Sequence, residues 1–246
     1  MAATLAGRRI VLTRPAPGPL GDRLRELGAD VTQVPLIAID DAGDGGAALA
    51  EVLARLDDFD WLVVTSANGA QRVGAAARRS PVALAAVGSA TATTLAELAG
   101  RPVDLVPAVQ RTAGLLDEFP RRRSAVLVAH GNLAGTDLVD GLRSLGCEVT
   151  AVEAYATVLR RPSANELDTL RRADVVVLAS GSAATAWVEA ERDASGSRGF
   201  SAVQAAVVTI GPQTADVARR LGVPVAAVSA TPDPGDVIAA IAESVP

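Results

Sequence analysis

The chain has 246 residues, 49% of them apolar, and a formal charge of −5 at pH 7, so it can bury one large core or two smaller ones. All 23 basic residues are arginine, which excludes catalysis through a Schiff-base lysine or a P-loop lysine. A single histidine, His130, and a single cysteine, Cys147, exclude a Cys/His zinc site and an internal disulfide. The available chemistry is therefore that of hydroxyls, amides, backbone groups and arginine.

Segments with strand and helix periodicity alternate along the whole chain, and glycine follows several of the helices. In chain order we expect strand Arg9–Thr13, helix Leu20–Leu27, extended segment Val31–Ile39, helix Ala47–Leu56, strand Trp61–Thr65, helix Gly69–Arg78, strand Leu84–Val87, helix Thr91–Ala99, strand Val103–Val106, helix Gly114–Phe119, strand Ala125–Ala129, helix Thr136–Leu145, extended segment Glu148–Leu159, helix Asn165–Arg171, strand Val175–Ala179, helix Ala183–Arg192, strand Ala206–Thr209, helix Thr214–Leu221, strand Val225–Val228 and helix Asp236–Glu243. This alternation is typical of α/β folds with parallel sheets.

Two extended segments, residues 31–40 and 148–159, are longer than most strands of small parallel sheets. Pro35 lies inside the first segment and argues against a central strand there. One explanation is that the two segments form a two-stranded hinge between two α/β lobes. Residues 1–37 and 160–246 would then form one lobe, and residues 41–150 the other. A single long doubly wound sheet is the alternative.

One strand–turn–helix unit occurs twice in the sequence. The segments Asp60–Ser66 and Asp174–Ser180 align with an offset of 114 residues, and both consist of an apolar strand that ends at small polar residues. The segments that follow them, which contain Gly88 and Gly211, align with an offset of 123 residues. The repeat therefore predicts two similar sheet edges.

Small polar turns at the starts of helices are a second feature of this repeat. Helix N-termini at the carboxyl edge of a parallel sheet present backbone N–H groups that favour anions. Ordinary N-capping is the alternative explanation for these residues. The candidate anion-binding turns are Ser66-Ala67-Asn68, Ser89-Ala90-Thr91, Ser180-Gly181-Ser182 and Pro212-Gln213-Thr214.

Six short motifs occur in a characteristic order along the chain. They are Val11-Leu-Thr-Arg14-Pro, Asp60-Trp-Leu-Val-Val-Thr-Ser66, Ala86-Val-Gly88-Ser-Ala-Thr91-Ala, Gly146-Cys-Glu-Val-Thr-Ala-Val-Glu-Ala-Tyr155-Ala-Thr, Val177-Leu-Ala-Ser180-Gly-Ser182-Ala-Ala and Ile210-Gly-Pro-Gln-Thr214-Ala. Together they resemble the uroporphyrinogen-III synthase family, over nearly the whole chain.

The resemblance implies two flavodoxin-like or Rossmann-like parallel-sheet lobes, joined by a two-stranded β linker, with the active site in the cleft between them. It implies a lyase without metal or cofactor, which closes hydroxymethylbilane into uroporphyrinogen III with inversion of ring D and loss of water. Tyr155 would then donate a hydrogen bond to the departing hydroxyl, and Arg14 would clamp a substrate carboxylate. The other residues expected to bind substrate are Ser66, Ala67, Asn68, Ser89, Thr91, His130, Ser180, Gly181, Ser182, Gln213 and Thr214.

Two positions depart from the family pattern, in which arginine is common at both. One is His130, where we expect a cleft-lining side chain rather than a base, and the other is Ala156. These departures leave open a low-activity paralogue of the synthase. A two-lobed small-molecule binding or sensor protein is another alternative. A nicotinamide-dependent enzyme is disfavoured, because the turn after the first strand lacks G-x-G-x-x-G and is rich in proline.

The expected partner is a small-molecule linear tetrapyrrole. The negative charge argues against nucleic acid and anionic membranes, although Arg121-Arg-Arg123 forms one basic cluster. No apolar run is long enough to span a membrane, and the first residues do not read as a signal peptide. We therefore expect a cytoplasmic monomer.

Overall fold

The structure is a computed structural model that describes residues 5–195 and 204–245. Two compact units make up the chain. The first unit combines Met1–Ala38 with Val158–Pro246, and the second is the continuous segment Ile39–Thr157. Each unit is built around its own five-stranded sheet.

Strands and helices alternate through both units, as the apolar periodicity predicts. In chain order the elements are β1 (Arg9–Leu12), α1 (Gly18–Glu26), β2 (Asp30–Gln33), β3 (Ile37–Asp40), α2 (Ala47–Ala54), a 3₁₀ turn (Leu56–Asp58), β4 (Trp61–Val64), α3 (Ala67–Ala77), β5 (Ala83–Ala86), α4 (Ser89–Ala99), α5 (Thr112–Glu118), β6 (Ala125–Gly131), α6 (Asp137–Ser144), β7 (Glu148–Leu159), α7 (Ala164–Arg172), β8 (Val175–Leu178), α8 (Gly181–Ser195), β9 (Ala206–Thr209), α9 (Pro212–Arg220), β10 (Val225–Val228) and α10 (Pro234–Ser244).

The sheet of the first unit has the strand order β10-β9-β8-β1-β2, and each neighbouring pair of strands is parallel. Apolar side chains cover both of its faces, because parallel sheets are buried on both sides by helices. Counted along this unit alone, the strand order is the doubly wound 2-1-3-4-5 pattern. All of its strands run in the same direction, but the order in which the chain adds strands reverses between β1 and β8, and such sheets bind ligands outside the carboxyl ends of the strands at this reversal point.

The sheet of the second unit has the order β3-β7-β6-β4-β5. β4 pairs in parallel with β5 and β6, and β6 pairs in parallel with β7. A single parallel bridge joins Leu105 to Ala85 beyond β5. The order in which the chain adds strands reverses between β4 and β6, so the carboxyl ends of these two strands mark the corresponding point of the second unit.

The repeat predicted from the sequence is confirmed by matching hydrogen bonds in the two sheets. Asp60 Oδ2 accepts from the backbone N–H of Ala125 at 2.8 Å, at the start of β6. Asp174 Oδ2 accepts in the same way from the backbone N–H of Arg9 at 2.8 Å, at the start of β1. The pair β4 and β6 therefore corresponds to the pair β8 and β1, an equivalence wider than the one read from the sequence.

The segment Val103–Val106 is not a strand, contrary to the sequence prediction. It makes one bridge, through Leu105, and lies between two prolines. The Asp104 carboxylate accepts from the backbone N–H of Leu84 at 2.8 Å, so a side chain takes part of the place that a ladder carbonyl would fill.

The extended segment 31–40 is divided into two strands that belong to different sheets. β2 pairs with β1 in the first sheet, whereas β3 lies beside β7 in the second sheet. Pro35 stands between them, because proline has no N–H to continue a ladder. The prediction of one hinge strand over 31–40 was therefore wrong for its first half. β7 covers Glu148–Leu159, as predicted.

Several helices begin about two residues earlier than the sequence prediction placed them. α3 begins at Ala67 instead of Gly69, and α4 begins at Ser89 instead of Thr91. In the second half of the repeat, α8 begins at Gly181 and α9 at Pro212. The small polar residues of the turns are therefore partly inside the first helical turns. Backbone N–H groups of a first turn have no partner within the helix, so this placement keeps these turns as candidate anion sites.

Candidate functional site

Ser66 and Tyr155 contact each other at the carboxyl edge of the second sheet. Ser66 is the N-cap of α3 and accepts from the backbone N–H of Gly69 at 3.1 Å. Its hydroxyl also lies 3.0 Å from the Tyr155 hydroxyl. Both side chains are half-buried. The structure therefore joins the predicted catalytic tyrosine to one of the predicted binding turns.

Gly131 provides the surface against which the Tyr155 ring lies. A Cβ atom on Gly131 would lie 2.6 Å from Tyr155 Cζ and 2.8 Å from its hydroxyl oxygen, so any larger residue would displace the ring. The register between β6 and β7 also shifts here. Glu153 is paired with His130, whereas the next residue of β6, Gly131, is paired with Tyr155, two residues further along β7. Bulges of this kind re-aim side chains beside functional sites.

His130 is half-buried and directly precedes Gly131, against which the Tyr155 ring lies. Its Nδ1 lies 2.9 Å from the carbonyl oxygen of Gly131. Because a carbonyl oxygen can only accept, a hydrogen bond at this distance places a proton on Nδ1 and leaves Nε2 for another partner. This geometry agrees with a lining role for His130.

The N-terminus of α4 already has a partner within the second unit. Gln110 Oε1 accepts from the Ser89 backbone N–H at 2.9 Å and from the Ser89 hydroxyl at 3.0 Å. Ser89 is exposed, whereas the side chain of Thr91 is buried. A substrate carboxylate would therefore reach Ser89 only by replacing Gln110, and it would not reach the Thr91 hydroxyl directly.

Arg14 and Ser180 follow the two strands at the reversal point of the first sheet. Arg14 is exposed two residues after the end of β1, and Ser180 is half-buried two residues after the end of β8. Ser180 accepts from the backbone N–H of Ala183 at 3.1 Å, which is the same cap that Ser66 makes. Thr13 ties the two strand ends together, since its hydroxyl donates to the Val177 carbonyl and accepts from the backbone N–H of Ala179.

The remaining predicted residues of the first unit differ in their exposure. Gly181 and Ser182 are half-buried in the first turn of α8, and a Cβ on Gly181 would lie 2.8 Å from Val217. The glycine is thus required by the packing of α8 on α9. Gln213 is exposed, whereas Thr214 is buried. Gln213 is therefore the accessible side chain of that turn.

Sequence reasoning missed three residues that shape these edges: Thr13, Gln110 and Gly131. Gly131 has no special sequence signal beyond a glycine after a strand, and its role depends on the register of β7. Gln110 lies 21 residues from Ser89, so no local pattern connects them. The hydroxyl of Thr13 was a readable signal, because threonine at the end of an apolar strand is polar in a buried position.

A second candidate region lies at the opposite, amino edge of the first sheet. A cavity of 490 Å³ there is lined by arginines, among them Arg9 and Arg171. Arg9 pairs with Asp174 at 2.8 Å, and its guanidinium lowers the pKa of that carboxyl. Arg171 pairs with the buried Glu191 at 2.7 Å. Because these charges bind protein carboxylates, the region is explained by ion pairing within the unit.

The described residues contain neither a cluster of metal ligands nor a membrane-spanning helix. Among residues 5–195 and 204–245, no group of three or more His, Cys, Asp or Glu side chains is arranged to hold a metal ion. Within the same ranges, no helix is both long enough and apolar enough to cross a membrane.

The sequence is similar to those of known proteins over most of its length. A family model described as "Uroporphyrinogen-III synthase HemD" matches residues 19–239. The uroporphyrinogen-III synthase of Synechococcus elongatus is 31% identical over 237 residues, which cover 88% of each chain. The chloroplastic uroporphyrinogen-III synthase of Oryza sativa is 30% identical over 186 residues, which cover 68% of this chain and 58% of the rice protein.

Solved structures confirm the fold class. A mutant uroporphyrinogen III synthase from Thermus thermophilus has a TM-score of 0.61 at 19% identity, over 97% of this chain and 98% of the other. The synthetase from Helicobacter pylori has a TM-score of 0.64 at 16% identity, over 94% and 97% of the two chains. The family matches in turn confirm the resemblance seen in the six motifs. The chain belongs to the uroporphyrinogen-III synthase family.

Proposed function

We propose that this protein converts hydroxymethylbilane into uroporphyrinogen III, with inversion of ring D and loss of water. Membership of a family of lyases supports the reaction class. The observation that carries the proposal within this chain is the contact between Tyr155 and Ser66 at the end of a parallel strand. A phenol at an edge where helix N-termini favour carboxylates supports a role for Tyr155 as the proton donor.

In the proposed reaction, Tyr155 donates a proton to the hydroxyl that leaves ring A. The C–O bond breaks with its electrons on oxygen, and water departs. The substituted carbon of ring D then attacks the resulting cation and gives a spiro intermediate. Rearrangement and ring closure invert ring D and release a proton, which returns to Tyr155. Without control by the protein, the chain would close head to tail and keep the orientation of ring D.

Positioning of the substrate is the main task of the remaining residues. The carboxylates of hydroxymethylbilane need donors, although the protein has a net charge of −5. Arg14 and the backbone N–H groups at the starts of α3 and α8 are proposed to supply them locally. Holding a reactant in one geometry can account for a large part of a rate enhancement without a strong nucleophile. No lysine or cofactor is required for this role.

The isomer composition of the product tests the proposal. The purified protein is supplied with enzymatically generated hydroxymethylbilane, and the products are oxidised and separated by chromatography. Formation of the III isomer is expected. Isomer I alone, at the rate of the enzyme-free control, would reject the enzyme and favour a binding or sensor protein. Isomer III at a very low rate would instead point to a low-activity paralogue, in line with His130 and Ala156.

Tyr155→Phe tests the proposed role of the phenol. We expect kcat to fall about a hundredfold, because a positioned general acid contributes at least this much in many enzymes. The phenylalanine ring keeps the packing against Gly131, so the fold should persist, as circular dichroism will show. An unchanged kcat would remove Tyr155 from the mechanism.

We also propose a cytoplasmic location, a monomeric state, and no partner among nucleic acids or membranes. The single cysteine, Cys147, is buried and needs no oxidising compartment for an internal disulfide, which supports this location. Cell fractionation and analytical ultracentrifugation will test the location and the oligomeric state.

A further inference from the structure

The hydrogen bond between Ser66 and Tyr155 has a direction that its surroundings favour. The Gly69 N–H can only donate, and it donates to Ser66 Oγ at 3.1 Å. Ser66 has one hydroxyl proton of its own, and the Tyr155 oxygen at 3.0 Å accepts it. With this direction, the phenolic proton of Tyr155 is not used by Ser66.

The Tyr155 ring also makes a close contact with Gly131 that does not involve this hydrogen bond. Any side chain on Gly131 would overlap the ring, since the nearest ring atom would lie 2.6 Å from its Cβ. The backbone N–H of Asn132 donates to the Tyr155 carbonyl at 3.1 Å, and Asn132 Oδ1 accepts from the Thr157 N–H at 2.8 Å. Asn132, which follows β6, thus holds β7 at Tyr155 and at Thr157 after the register shift.

We infer that Ser66 and Gly131 are positioning residues for Tyr155: Ser66 donates its hydroxyl proton to the phenol oxygen, and Gly131 provides the space in which the ring lies. The inference rests on the proposed function and gives Ser66 a role other than carboxylate binding. When Tyr155 gives its proton to the leaving hydroxyl, Ser66 holds the phenolate oxygen that forms. The N-terminal dipole of α3 supports this charge through the Gly69 N–H. The proton released at ring closure returns to the same oxygen, so atoms and charges balance.

Three alternative roles of the Ser66 side chain predict different kinetic constants for Ser66→Ala. If Ser66 positions Tyr155, kcat falls about tenfold, the scale of a charge-assisted hydrogen bond, while KM stays within about twofold. If Ser66 binds a substrate carboxylate, KM rises and kcat is kept. If Ser66 only caps α3, stability falls and both constants are kept. The second and third results would overturn the inference.

The matched control is Ser163→Ala. Ser163 is the N-cap of α7 and accepts from the Glu166 backbone N–H at 3.3 Å, so its loss removes a serine cap without touching Tyr155. It should destabilise the protein without changing kcat. Ser66→Thr keeps the hydroxyl and should restore most of the activity, whereas Ser66→Ala in a Tyr155→Phe background should change kcat by less than about twofold, because coupled residues act as a unit.

A spectroscopic readout separates this inference from the proposed function. Tyr155 is the only tyrosine of the chain, so protein labelled with [¹³Cζ]-tyrosine gives a single resonance that reports the hydrogen bonding of this phenol. We expect Ser66→Ala and Gly131→Ala to move it, and Ser163→Ala to leave it in place. A resonance unmoved in Ser66→Ala overturns the inference whatever the activity. If the wild-type protein makes only isomer I, the proposed function is rejected. The contacts of Ser66 and Gly131 with Tyr155 then have no catalytic purpose.

Discussion

Removal of the Gln110 side chain tests whether the N-terminus of α4 meets the substrate. Gln110 Oε1 accepts from both the N–H and the hydroxyl of Ser89, so it occupies the donors that were predicted to bind a carboxylate. Gln110→Ala releases these donors. A neutral hydrogen bond is worth about 1 kcal/mol net, so losing the competitor should lower the KM for hydroxymethylbilane by about fivefold.

The assay compares initial rates of isomer III formation over a range of substrate concentrations. Gln71→Ala is the control, since Gln71 is exposed within α3 and its loss should leave KM unchanged. Gln110→Glu should act in the opposite direction to Gln110→Ala, because a second carboxylate at this turn repels the substrate and raises KM. Gln110→Ala should also unfold at slightly lower urea concentration, because a helix cap is lost.

One outcome would show that Gln110 does not compete with the substrate for the Ser89 donors. If Gln110→Ala lowers the unfolding free energy but leaves KM at the wild-type value, the contact is a structural cap alone. Ser89 would then no longer count as a substrate-binding residue, and the backbone N–H groups at the start of α3 would remain as the candidate donors from these turns in the second unit.

Four further variants test the energetics of the fold by urea unfolding. Thr209→Val should stabilise the protein by about 1 kcal/mol, because the buried Thr209 hydroxyl has no hydrogen-bond partner among the described residues; a loss of stability would contradict this. Arg171→Met should cost about 3 kcal/mol by removing the guanidinium from buried Glu191, and adding Glu191→Leu should recover most of it. The Arg9 guanidinium lowers the pKa of Asp174 in the folded protein, so its stabilisation is present above the unfolded pKa of about 4 and is lost as pH falls through the lower folded value. Asp174→Asn should therefore flatten the loss of stability between about pH 5 and pH 2, and an unaltered acid limb would count against the pair.

Local sequence patterns were sufficient for the repeating βα units and for the placement of polar turns at strand ends. The apolar runs after Asp60 and Asp174 are buried strands because helices cover both faces of parallel sheets. The segment around Leu105 has the same local apolar character, yet it lies between prolines and makes a single bridge. Strand pairing depends on what the neighbouring strand offers, and here the Asp104 side chain takes part of that pairing.

The features of the site that could not be predicted depend on contacts between distant segments or on the residue at which a helix begins. Tyr155 lies 89 residues from Ser66, and its orientation follows from a register shift that no local pattern indicates. Likewise, Thr91 was expected to face a ligand because it follows Ser89 in a polar turn. The helix in fact begins at Ser89, so Thr91 turns toward the core.

The two halves of the repeat show why the turn alone does not create the proposed chemistry. Ser66 and Ser180 occupy equivalent positions, and each accepts from an N–H three residues ahead at 3.1 Å. They differ in the strands around them. β7 has 12 residues and continues to Tyr155 opposite the end of β6, whereas β2, its counterpart beside β1, has 4 residues and stops at Gln33. The longer strand brings a phenol to Ser66, whereas Ser180 keeps only its cap among the residues that the structure describes. If Ser66 acts through Tyr155, then Ser180→Ala should cost the same stability as Ser66→Ala but leave the tyrosine resonance unmoved. Equal shifts of the resonance in both variants would show that the effect on Tyr155 is not specific to Ser66.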